Sequence, residues 1–175
     1  MYMEMTINRL ILREYTAKDA ESLHHFFAKD YVTQYAPHLF HQDIADTEAY
    51  LQFHINHAQA SCRTHFYYAI EQRETGEFIG IIGFSQVEEG AAELEYYLLK
   101  AHWDKGLMPE ALNALIAFAF EKTSVQKLFA ICQTDNENSA KVLEKCAMRK
   151  AAKQPESKIY HGIQKTRVCY EIFAK

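Results

Sequence analysis

The sequence predicts an α+β domain built on a mixed, mostly antiparallel sheet, and two stretches carry that prediction. Residues 65–71 and 78–85 are rich in aromatic and apolar residues, and a short turn with a glycine joins them, as in a β-hairpin. Residues 92–99 also have the pattern of a strand. They are followed by a glycine-containing loop, a long apolar helical run and another strand-like segment, residues 127–132. That order predicts a β-α-β unit whose two strands are parallel.

The remaining elements follow from local patterns along the chain. We expect about seven strands, at residues 9–14, 65–71, 78–85, 92–99, 127–132, 148–152 and 166–173. We expect about four flanking helices, at residues 17–28, from 43 or 46 to 60, within 103–121, and from 134 to about 146. Thr16 is a favoured helix cap, and Thr134 with Glu137 has the pattern of a capping box. Residues 31–42 are expected to form an irregular loop, and Gly162 a turn between the last two strands.

Composition and charge limit the class of protein. With 175 residues, of which 49% are hydrophobic and 24% charged, the chain has the composition of one globular domain, residues 1–175. The longest apolar run, residues 114–120, is far shorter than the ~20 residues of a membrane-spanning helix, and no signal-peptide pattern is present. A net charge of −4 argues against nucleic acid as a partner. The four cysteines are widely spaced, so we expect reduced thiols and a cytoplasmic protein.

The loop at residues 103–108 is the main candidate for ligand binding. Its only glycine is Gly106, and Pro109 follows in the expected first turn of the helix, where a missing N–H does no harm. A strand, a glycine-containing turn and a helix aim main-chain N–H groups and the positive end of the helix dipole at one point, which favours phosphate. The alternative is that Gly106 only makes the turn. No P-loop or dinucleotide-binding glycine motif is present, and Gly80 and Gly83 indicate a bulge or a close approach of two backbones.

Three segments carry a resemblance to a known family. They read T-I-N-R-L-I-L-R-E-Y-T-A-K-D-A, then A-E-L-E-Y-Y-L followed by H-W-D-K-G-L-M-P-E-A-L, and finally N-E-N-S-A-K-V-L-E-K-C-A-M. In this order they resemble GNAT-superfamily N-acetyltransferases of the RimJ/RimL type. The resemblance extends from Thr6 to Phe173. It implies the GNAT fold, in which two parallel central strands splay apart, and acetyl-CoA as the cofactor.

The resemblance also implies where acetyl-CoA binds. Its pyrophosphate would meet the main-chain N–H groups of Asp104, Lys105, Gly106, Leu107 and Met108. Its pantetheine arm would pair with the backbone of Tyr97, Leu98 and Leu99 and would contact the side-chain amide of Asn136. Two positions depart from the family's pattern. Trp103 stands where a basic or amide residue is usual, and Met108 where a glycine or alanine is usual.

Two catalytic residues are implied in the same way. Ser139 matches the serine of the family's N-x-x-S and would hydrogen-bond or protonate the leaving thiolate; the alternative is that it only satisfies the helix start. Glu93 matches the glutamate of the family's A-E-[IL]-G-Y strand and would be the base that takes a proton from the attacking amine. Glu95, on the same strand face, is a second candidate, or it sets the charge preference for the acceptor. Both also fit solvated carboxylates on an acidic surface.

These assignments predict an acetyl-CoA-dependent N-acetyltransferase that acts on a primary amine by direct attack in a ternary complex. The amine belongs to a protein N-terminus or to a small molecule, and the acidic net charge favours a cationic acceptor. Lys158 stands where ribosomal-protein acetyltransferases can carry a carboxylate, which argues against a ribosomal-protein acceptor. No metal is expected, because His54 and His57 lack further ligands at suitable spacing. The assembly is left open between a monomer and a homodimer, and the alternative function is a non-catalytic acyl-CoA-binding module.

Overall fold

An eight-stranded sheet forms the centre of the computed structural model, which describes residues 4–160 and 162–175. Its strands are β1 (Glu4–Thr6), β2 (Leu10–Glu14), β3 (His65–Gln72), β4 (Phe78–Glu88), β5 (Ala91–Leu98), β6 (Lys127–Gln133), β7 (Arg149–Lys150) and β10 (Arg167–Phe173). They lie in the order β1-β2-β3-β4-β5-β6-β10-β7. Neighbouring strands are antiparallel except β5 and β6, which are parallel. A separate two-stranded ribbon pairs β8 (Lys158–Tyr160) with β9 (Ile163–Lys165).

Five α-helices occur within residues 4–160 and 162–175. They are α1 (Ala20–Phe27), α2 (Asp30–Thr33), α3 (Ile44–Ala58), α4 (Leu107–Lys122) and α5 (Glu137–Lys145). Short 3-10 helices lie at Ala17–Asp19, Pro37–Leu39 and Lys100–His102. The predicted cap at Thr16 is confirmed, since the Asp19 carboxylate accepts a hydrogen bond from the Thr16 N–H (2.7 Å) in a capping box. In the part of the chain that is described, no helix is long and apolar enough to cross a membrane.

Two hydrophobic clusters, one on each face of the sheet, hold the helices in place. On one face α4 buries Leu112 and Leu115 completely against the sheet. On the other face α1 buries Leu23 and Phe27 in the same way. Each such side chain contributes roughly 1.5–3 kcal/mol by leaving water. Since successive strand residues point to opposite faces, the strands β3, β4 and β5 supply side chains to both clusters.

β5 and β6 are paired only at their beginnings. Three consecutive residue pairs join them, and the last is Glu93 with Phe129. Beyond that point the two strands separate, whereas β5 stays paired with β4 as far as Leu98 opposite Gly80. From residue 94 onward β5 therefore has an open edge, and a wedge-shaped gap lies between it and β6. The parallel, splayed strand pair that the sequence predicts is confirmed.

Gly80 is required because β4 passes close to β5 at this position. A Cβ atom on Gly80 would lie 2.3 Å from the Tyr97 carbonyl oxygen, and a backbone oxygen cannot move aside. A Cβ atom on Gly83 would similarly lie 2.6 Å from a backbone carbonyl oxygen of β3. Next to Gly80, the pairing of β3 with β4 shifts by one residue between Ile70 and Glu71. Both the close backbone approach and the bulge predicted around these glycines are therefore present.

The described chain contains three strands and one helix beyond those that the sequence predicts, namely β1, β8, β9 and α2. Strands as short as these give no detectable alternation. The turn predicted at Gly162 exists, with a left-handed φ of 77°, but it lies within the β8-β9 ribbon and not between two strands of the main sheet. Residues 31–42 are less irregular than expected, because they hold most of α2 and the 3-10 helix Pro37–Leu39.

The predicted capping box of Thr134 and Glu137 is wrong. α5 begins later, and its cap is Asn136, whose Oδ1 accepts a hydrogen bond from the Ser139 N–H (3.2 Å). Thr134 lies in the turn that follows β6, and its hydroxyl donates to the Thr166 carbonyl oxygen (3.3 Å). Asparagine is at least as good a helix cap as threonine, so the local preference of Asn136 decides where the helix starts.

Candidate active site

A cleft of about 770 Å³ opens where β5 and β6 separate. Its walls come from β5, the loop between β5 and α4, the first turns of α4 and α5, the end of β6, the start of β10, and the segments 31–38 and 158–159. This volume is in the upper part of the range for small-molecule sites. The structure brings all of the predicted site residues to this cleft except Lys105 and Leu99, which do not line it.

The loop before α4 has the backbone that an anion site needs. Gly106 is the N-cap residue of α4 and has a φ of 72°, a left-handed conformation that glycine adopts without strain. Asp104 also has a positive φ, 58°. The N–H groups of Leu107 and Met108 lie in the first turn of the helix and have no intrahelical partner. Within the described chain no side chain caps them either. These N–H groups and the helix dipole favour a negatively charged group in the cleft.

Arg9 holds this loop in place from the residue just before β2. Its Nη1 donates to the Lys105 carbonyl oxygen (3.0 Å), and its Nε pairs with Glu110 Oε2 on the first turn of α4 (2.7 Å). The Glu110 carboxylate also accepts a hydrogen bond from the Arg9 main-chain N–H (2.8 Å). The loop is therefore fixed on both sides of Gly106 before any ligand binds.

The backbone of β5 presents only some of the expected groups to the cleft. The Leu99 N–H donates to a carbonyl oxygen of β4 (2.8 Å), so the main chain of Leu99 faces β4. Because main-chain groups alternate along a strand, Tyr97 faces β4 as well, whereas Tyr96 and Leu98 face the open edge. The Leu98 carbonyl oxygen accepts a hydrogen bond from the indole N–H of Trp103 (2.9 Å). The groups left at this edge are the Leu98 N–H and the N–H and C=O of Tyr96.

Ser139 leaves the capping of α5 to Asn136 and turns its hydroxyl toward β5. Ser139 Oγ lies 2.9 Å from the hydroxyl oxygen of Tyr96, and that tyrosine hydroxyl also donates to the Ser139 carbonyl oxygen (3.1 Å). Burial raises the pKa of Tyr96 well above its ordinary value, so the phenol keeps its proton at neutral pH. Two proton-bearing hydroxyl groups therefore share one wall of the cleft.

Glu93 stands at the point where β5 and β6 part. Its half-buried carboxylate makes no hydrogen bond or ion pair with any residue that the structure describes. Burial, and next the negative charge of Glu95, raise the pKa of the Glu93 carboxyl above its ordinary value. The positive charges of Arg167, His38 and Lys158 oppose this rise without cancelling it. An unpaired carboxylate with a raised pKa has the properties of a general base.

Glu95 points to the same face but is held by two partners. Its Oε2 accepts a hydrogen bond from the Tyr67 hydroxyl (2.9 Å), and its Oε1 lies 3.0 Å from His38 Nε2. Burial alone would raise the pKa of Glu95, but His38 and Tyr67 outweigh it and hold that pKa below its ordinary value. The hydrogen bond to Glu95 in turn raises the pKa of His38 above 6.5. Glu95 is therefore a fixed charge and a weak base.

Sequence reasoning missed Tyr96, Tyr67 and His38 as site residues. For Tyr96 a signal exists, since it follows Glu95 directly on a strand and must point to the opposite face. Tyr67 and His38 give no such signal, because long-range packing brings each of them to Glu95. Tyr170, which lies on the final strand, is buried in the core and not in the cleft.

Among residues 4–160 and 162–175, no three His, Cys, Asp or Glu side chains are grouped so that they could hold a metal ion. The two histidines of α3 make aromatic contacts instead. The ring centroid of His54 lies 4.5 Å from that of Tyr67, and the ring centroid of His57 lies 4.1 Å from that of Phe53.

Comparison with known proteins decides the family. A model of the GNAT acetyltransferase domain matches residues 9–149. The chain belongs to the GNAT acetyltransferase family. This GNAT enzyme is 30% identical over 152 residues to YoaA, an uncharacterized N-acetyltransferase of Bacillus subtilis (strain 168), and the match covers 86% of this chain and 85% of YoaA. A GNAT-family acetyltransferase structure from Bacillus anthracis has a TM-score of 0.85 at 22% identity. RimL, a ribosomal L7/L12 alpha-N-protein acetyltransferase in complex with a coenzyme A that forms a disulfide with a cysteine, has a TM-score of 0.86 at 19% identity. Each of the two alignments covers 98% of both chains.

The protein is therefore an acetyl-CoA-dependent N-acetyltransferase, and its cleft fits that cofactor. The uncapped start of α4 suits a diphosphate, and the open edge of β5 suits an extended arm that carries amide groups. The cleft is also large enough for most of such a molecule. Bound acetyl-CoA supplies an activated acetyl group. The residues of this chain offer N–H groups that would hold it, a carboxylate on one side of β5 and hydroxyl groups on the other.

Proposed function

We propose that this GNAT enzyme acetylates a primary amine by direct attack of the amine on the thioester, with both substrates bound at once. The observation that carries the proposal is the position of Glu93. It is an unpaired carboxylate at the point where β5 and β6 part, on the opposite side of β5 from the hydroxyl pair of Tyr96 and Ser139. Direct attack needs a proton acceptor near the amine and a proton donor near the sulfur, and one strand presents both.

The base has a defined task, because an amine must lose a proton before it can attack. An α-amino group has a pKa of about 8 and a lysine-like amine of about 10.4. At neutral pH the free amine therefore costs about 1 kcal/mol in the first case and about 4–5 kcal/mol in the second. Glu93 takes this proton directly or through one water; Glu95 is the weaker base, since its bonds to Tyr67 and His38 lower its pKa whereas the pKa of Glu93 is raised. The smaller cost favours an α-amino group, the class of acceptor that the name of RimL describes.

The donor substrate is held mainly by the main chain. The N–H groups of residues 104–108 receive the diphosphate, and the helix start at Leu107 and Met108 contributes most. The pantetheine arm lies along the open edge of β5. There it meets the N–H of Leu98 and the main chain of Tyr96, because the main-chain groups of Tyr97 and Leu99 face β4. The Nδ2 group of Asn136 remains available to the arm, since capping uses only its Oδ1.

The hydroxyl pair serves the leaving group. As the carbon–sulfur bond breaks, negative charge collects on the sulfur, and Ser139 Oγ donates a hydrogen bond to it. When Ser139 turns its proton to the sulfur, the Tyr96 hydroxyl moves its own proton from the Ser139 carbonyl oxygen to Ser139 Oγ, so that the thiolate can leave as a thiol. The attacking ammonium loses two protons in all: one stays on the thiol and the other leaves through Glu93 to solvent. A cysteine nucleophile is not favoured, because burial raises the pKa values of the Cys132 and Cys146 thiols.

The test is the release of coenzyme A from acetyl-CoA in the presence of a panel of primary amines. Glu93→Gln should lower kcat/KM by about 10²–10⁴-fold while acetyl-CoA still binds. Glu89→Gln is the matched control, because Glu89 is exposed in the same acidic stretch and does not line the cleft. If Glu93→Gln keeps the rate and pH profile of the parent enzyme, the base assignment is wrong. Binding of acetyl-CoA without turnover on any amine would overturn the proposal as a whole.

A further inference from the structure

We infer that the acceptor carries a carboxylate a few bonds from its amine and that Arg167 binds this carboxylate. The inference rests on the proposed function and specifies the acceptor of the same site. It is argued from the charged side chains at one end of the cleft, which we call the acceptor end. This end consists of His38, Glu93, Glu95, Lys158 and Arg167.

Glu95 adds no net negative charge to the acceptor end when His38 is protonated. One oxygen of its carboxylate is bonded to Tyr67 and the other to His38 Nε2, and the pair of Glu95 with a protonated His38 is neutral. Glu93 is then the carboxylate that remains for an incoming ammonium group. The other acidic side chains that line the cleft, Asp104, Asp135 and Glu137, belong to the loop before α4 and to the start of α5.

Arg167 faces the acceptor end with most of its hydrogen-bonding capacity unused. It begins β10, opposite the last residue of β6, and is half-buried. Its Nε donates to the Glu156 carbonyl oxygen (2.8 Å), which fixes the plane of the guanidinium group. Neither of its two η nitrogens has a hydrogen-bond or ion-pair partner in the described part of the chain. A planar guanidinium group with four N–H donors left matches the geometry of a carboxylate or a phosphate, and the diphosphate of acetyl-CoA is assigned to the start of α4 at another part of the cleft.

Lys158 adds a second positive charge to the same end. It lies on the ribbon strand β8, and its charge reaches both His38 and Glu93. At the acceptor end the Arg167 guanidinium, with its η nitrogens unused, therefore stands beside the single charge of Glu93. A polyamine would be repelled here, although the net charge of −4 for the whole chain favours a cationic acceptor. An amine with a neighbouring carboxylate places its ammonium at Glu93 and its anion at Arg167.

The experiment compares matched acceptors that differ only in this anion. One arm uses two short C-terminally amidated peptides with free α-amino groups, identical except for aspartate or asparagine as the second residue. The other arm uses a free amino acid and its amide, compared at equal concentrations of free amine. The two arms separate an acidic protein N-terminus from a small amino acid as the source of the carboxylate. The readout is kcat/KM from coenzyme A release.

The parent enzyme should prefer the carboxylate member of at least one pair by about 10- to 100-fold. Arg167→Gln should abolish this preference and leave the uncharged member within about threefold of the parent value. Arg167→Lys keeps the charge but loses the planar fork, so its preference should be intermediate. Arg149→Gln is the control, because Arg149 is exposed and outside the cleft, and it should keep the full preference.

Two results overturn the inference. One is a parent enzyme that prefers the uncharged members or spermidine. The other is an Arg167→Gln variant that slows both members of each pair equally. Thermal unfolding of each variant shows whether it folds, and if Arg167→Gln does not, an unchanged preference in Arg167→Lys overturns the inference instead. If no amine is acetylated, the proposed function itself is wrong. If amines are acetylated without a preference for a carboxylate, only this inference is wrong.

Discussion

The hydroxyl groups of Tyr96 and Ser139 lie 2.9 Å apart and join β5 to the first turn of α5. Ser139 is available for this contact because Asn136, three residues earlier, caps the helix in its place. The tyrosine is packed against the core from behind, which fixes its hydroxyl and keeps it protonated. The start of α5 therefore divides two tasks between two residues. Asn136 caps the helix, and Ser139 lines the cleft.

Removing the Ser139 hydroxyl should reduce catalysis and leave the fold intact. Ser139→Ala should lower kcat by about 10²-fold, because it removes a donor aimed at the charge that develops on the sulfur. Tyr96→Phe should act through the same hydrogen bond. The double variant should therefore lose less than the product of the two single losses. Steady-state rates at saturating acetyl-CoA measure all three effects.

Asn136→Ala is the contrasting variant for Ser139→Ala. It should lower the free energy of unfolding by about 1 kcal/mol, because the Ser139 N–H loses its capping partner. Ser139→Ala should cost clearly less stability, as measured by urea unfolding. The division of tasks would be refuted by a Ser139→Ala enzyme that keeps full activity but is as unstable as Asn136→Ala.

The fall of kcat/KM at acid pH should follow the pKa of Glu93. For an acceptor that binds as its ammonium form, activity is lost as the pH falls through the pKa of the base. Because burial and the charge of Glu95 raise the pKa of Glu93 above its ordinary value of 4.5, the midpoint of this loss of activity should lie above pH 4.5. Glu95→Gln removes the repelling charge and should move the midpoint to lower pH. A midpoint that stays in place or moves upward in Glu95→Gln would show that another group is the base.

The pair of His38 and Glu95 should stabilise the fold in a limited pH window. The pKa of His38 is raised, so its contribution is full below 6.5 and is lost as the pH rises through the folded-state value. The pKa of Glu95 is lowered, so its contribution is full above 4.5 and is lost as the pH falls through the folded-state value. The stabilisation is therefore largest between 4.5 and 6.5.

His38→Gln tests this window by urea unfolding at about pH 5.5 and about pH 8.5. The loss should be larger at the lower pH, and it should stay below about 1 kcal/mol because the His38 side chain is 58% exposed. His25→Gln is the control, since His25 is exposed and bonds only to a main-chain oxygen in the described chain. An equal loss of unfolding free energy at both pH values would show that the protonation of His38 does not contribute to stability.

The backbone at Gly106 should matter for cofactor binding more than for stability. An added Cβ atom has room, with Arg9 Nη2 nearest at 3.7 Å, so Gly106→Ala should act through its φ of 72°. The strain should cost about 1–2 kcal/mol of stability or force the loop to change shape. In the second case the affinity for coenzyme A, measured by calorimetry, should fall.

Gly76→Ala is a closely matched control for Gly106→Ala. Gly76 has a φ of 69°, nothing within 4 Å of an added Cβ atom, and no place in the cleft. It should lose similar stability and keep its affinity for coenzyme A. Normal binding of coenzyme A by a Gly106→Ala variant that keeps its full stability, and whose loop has therefore changed shape, would remove the loop from the binding site.

The sequence predicts the parts of the site that lie close together along the chain. The strand, the loop with Gly106 and α4 are recognisable because one long apolar helix follows directly on an alternating strand. Glu93 and Glu95 cannot be separated in this way, since they share a strand face and differ only in their partners. Those partners, Tyr67 and His38, arrive from β3 and from the 3-10 helix Pro37–Leu39 through packing. No local sequence pattern predicts such long-range contacts.

The errors also have physical causes. The resemblance places the backbones of Tyr97, Leu98 and Leu99 along the cofactor, but successive main-chain groups on a strand point in opposite directions, and of these three only Leu98 faces the gap. The capping pattern at Thr134 competes with Asn136 two residues later, and the better cap decides the start of α5. β8 and β9 are three residues each, too short to show a period.

The close contact of Gly80 with the Tyr97 carbonyl also determines the registry of β5 against β4. Sliding β5 by one residue would exchange its two sets of side chains, so that Tyr96 would replace Glu95 beside the amine and the carboxylates would face the sulfur. Gly80 opposes such a slip because it leaves room for the neighbouring backbone in one alignment. A residue without a side chain, on the neighbouring strand, thereby holds the register that places Glu93 and Glu95 on one face of β5 and Tyr96 on the other.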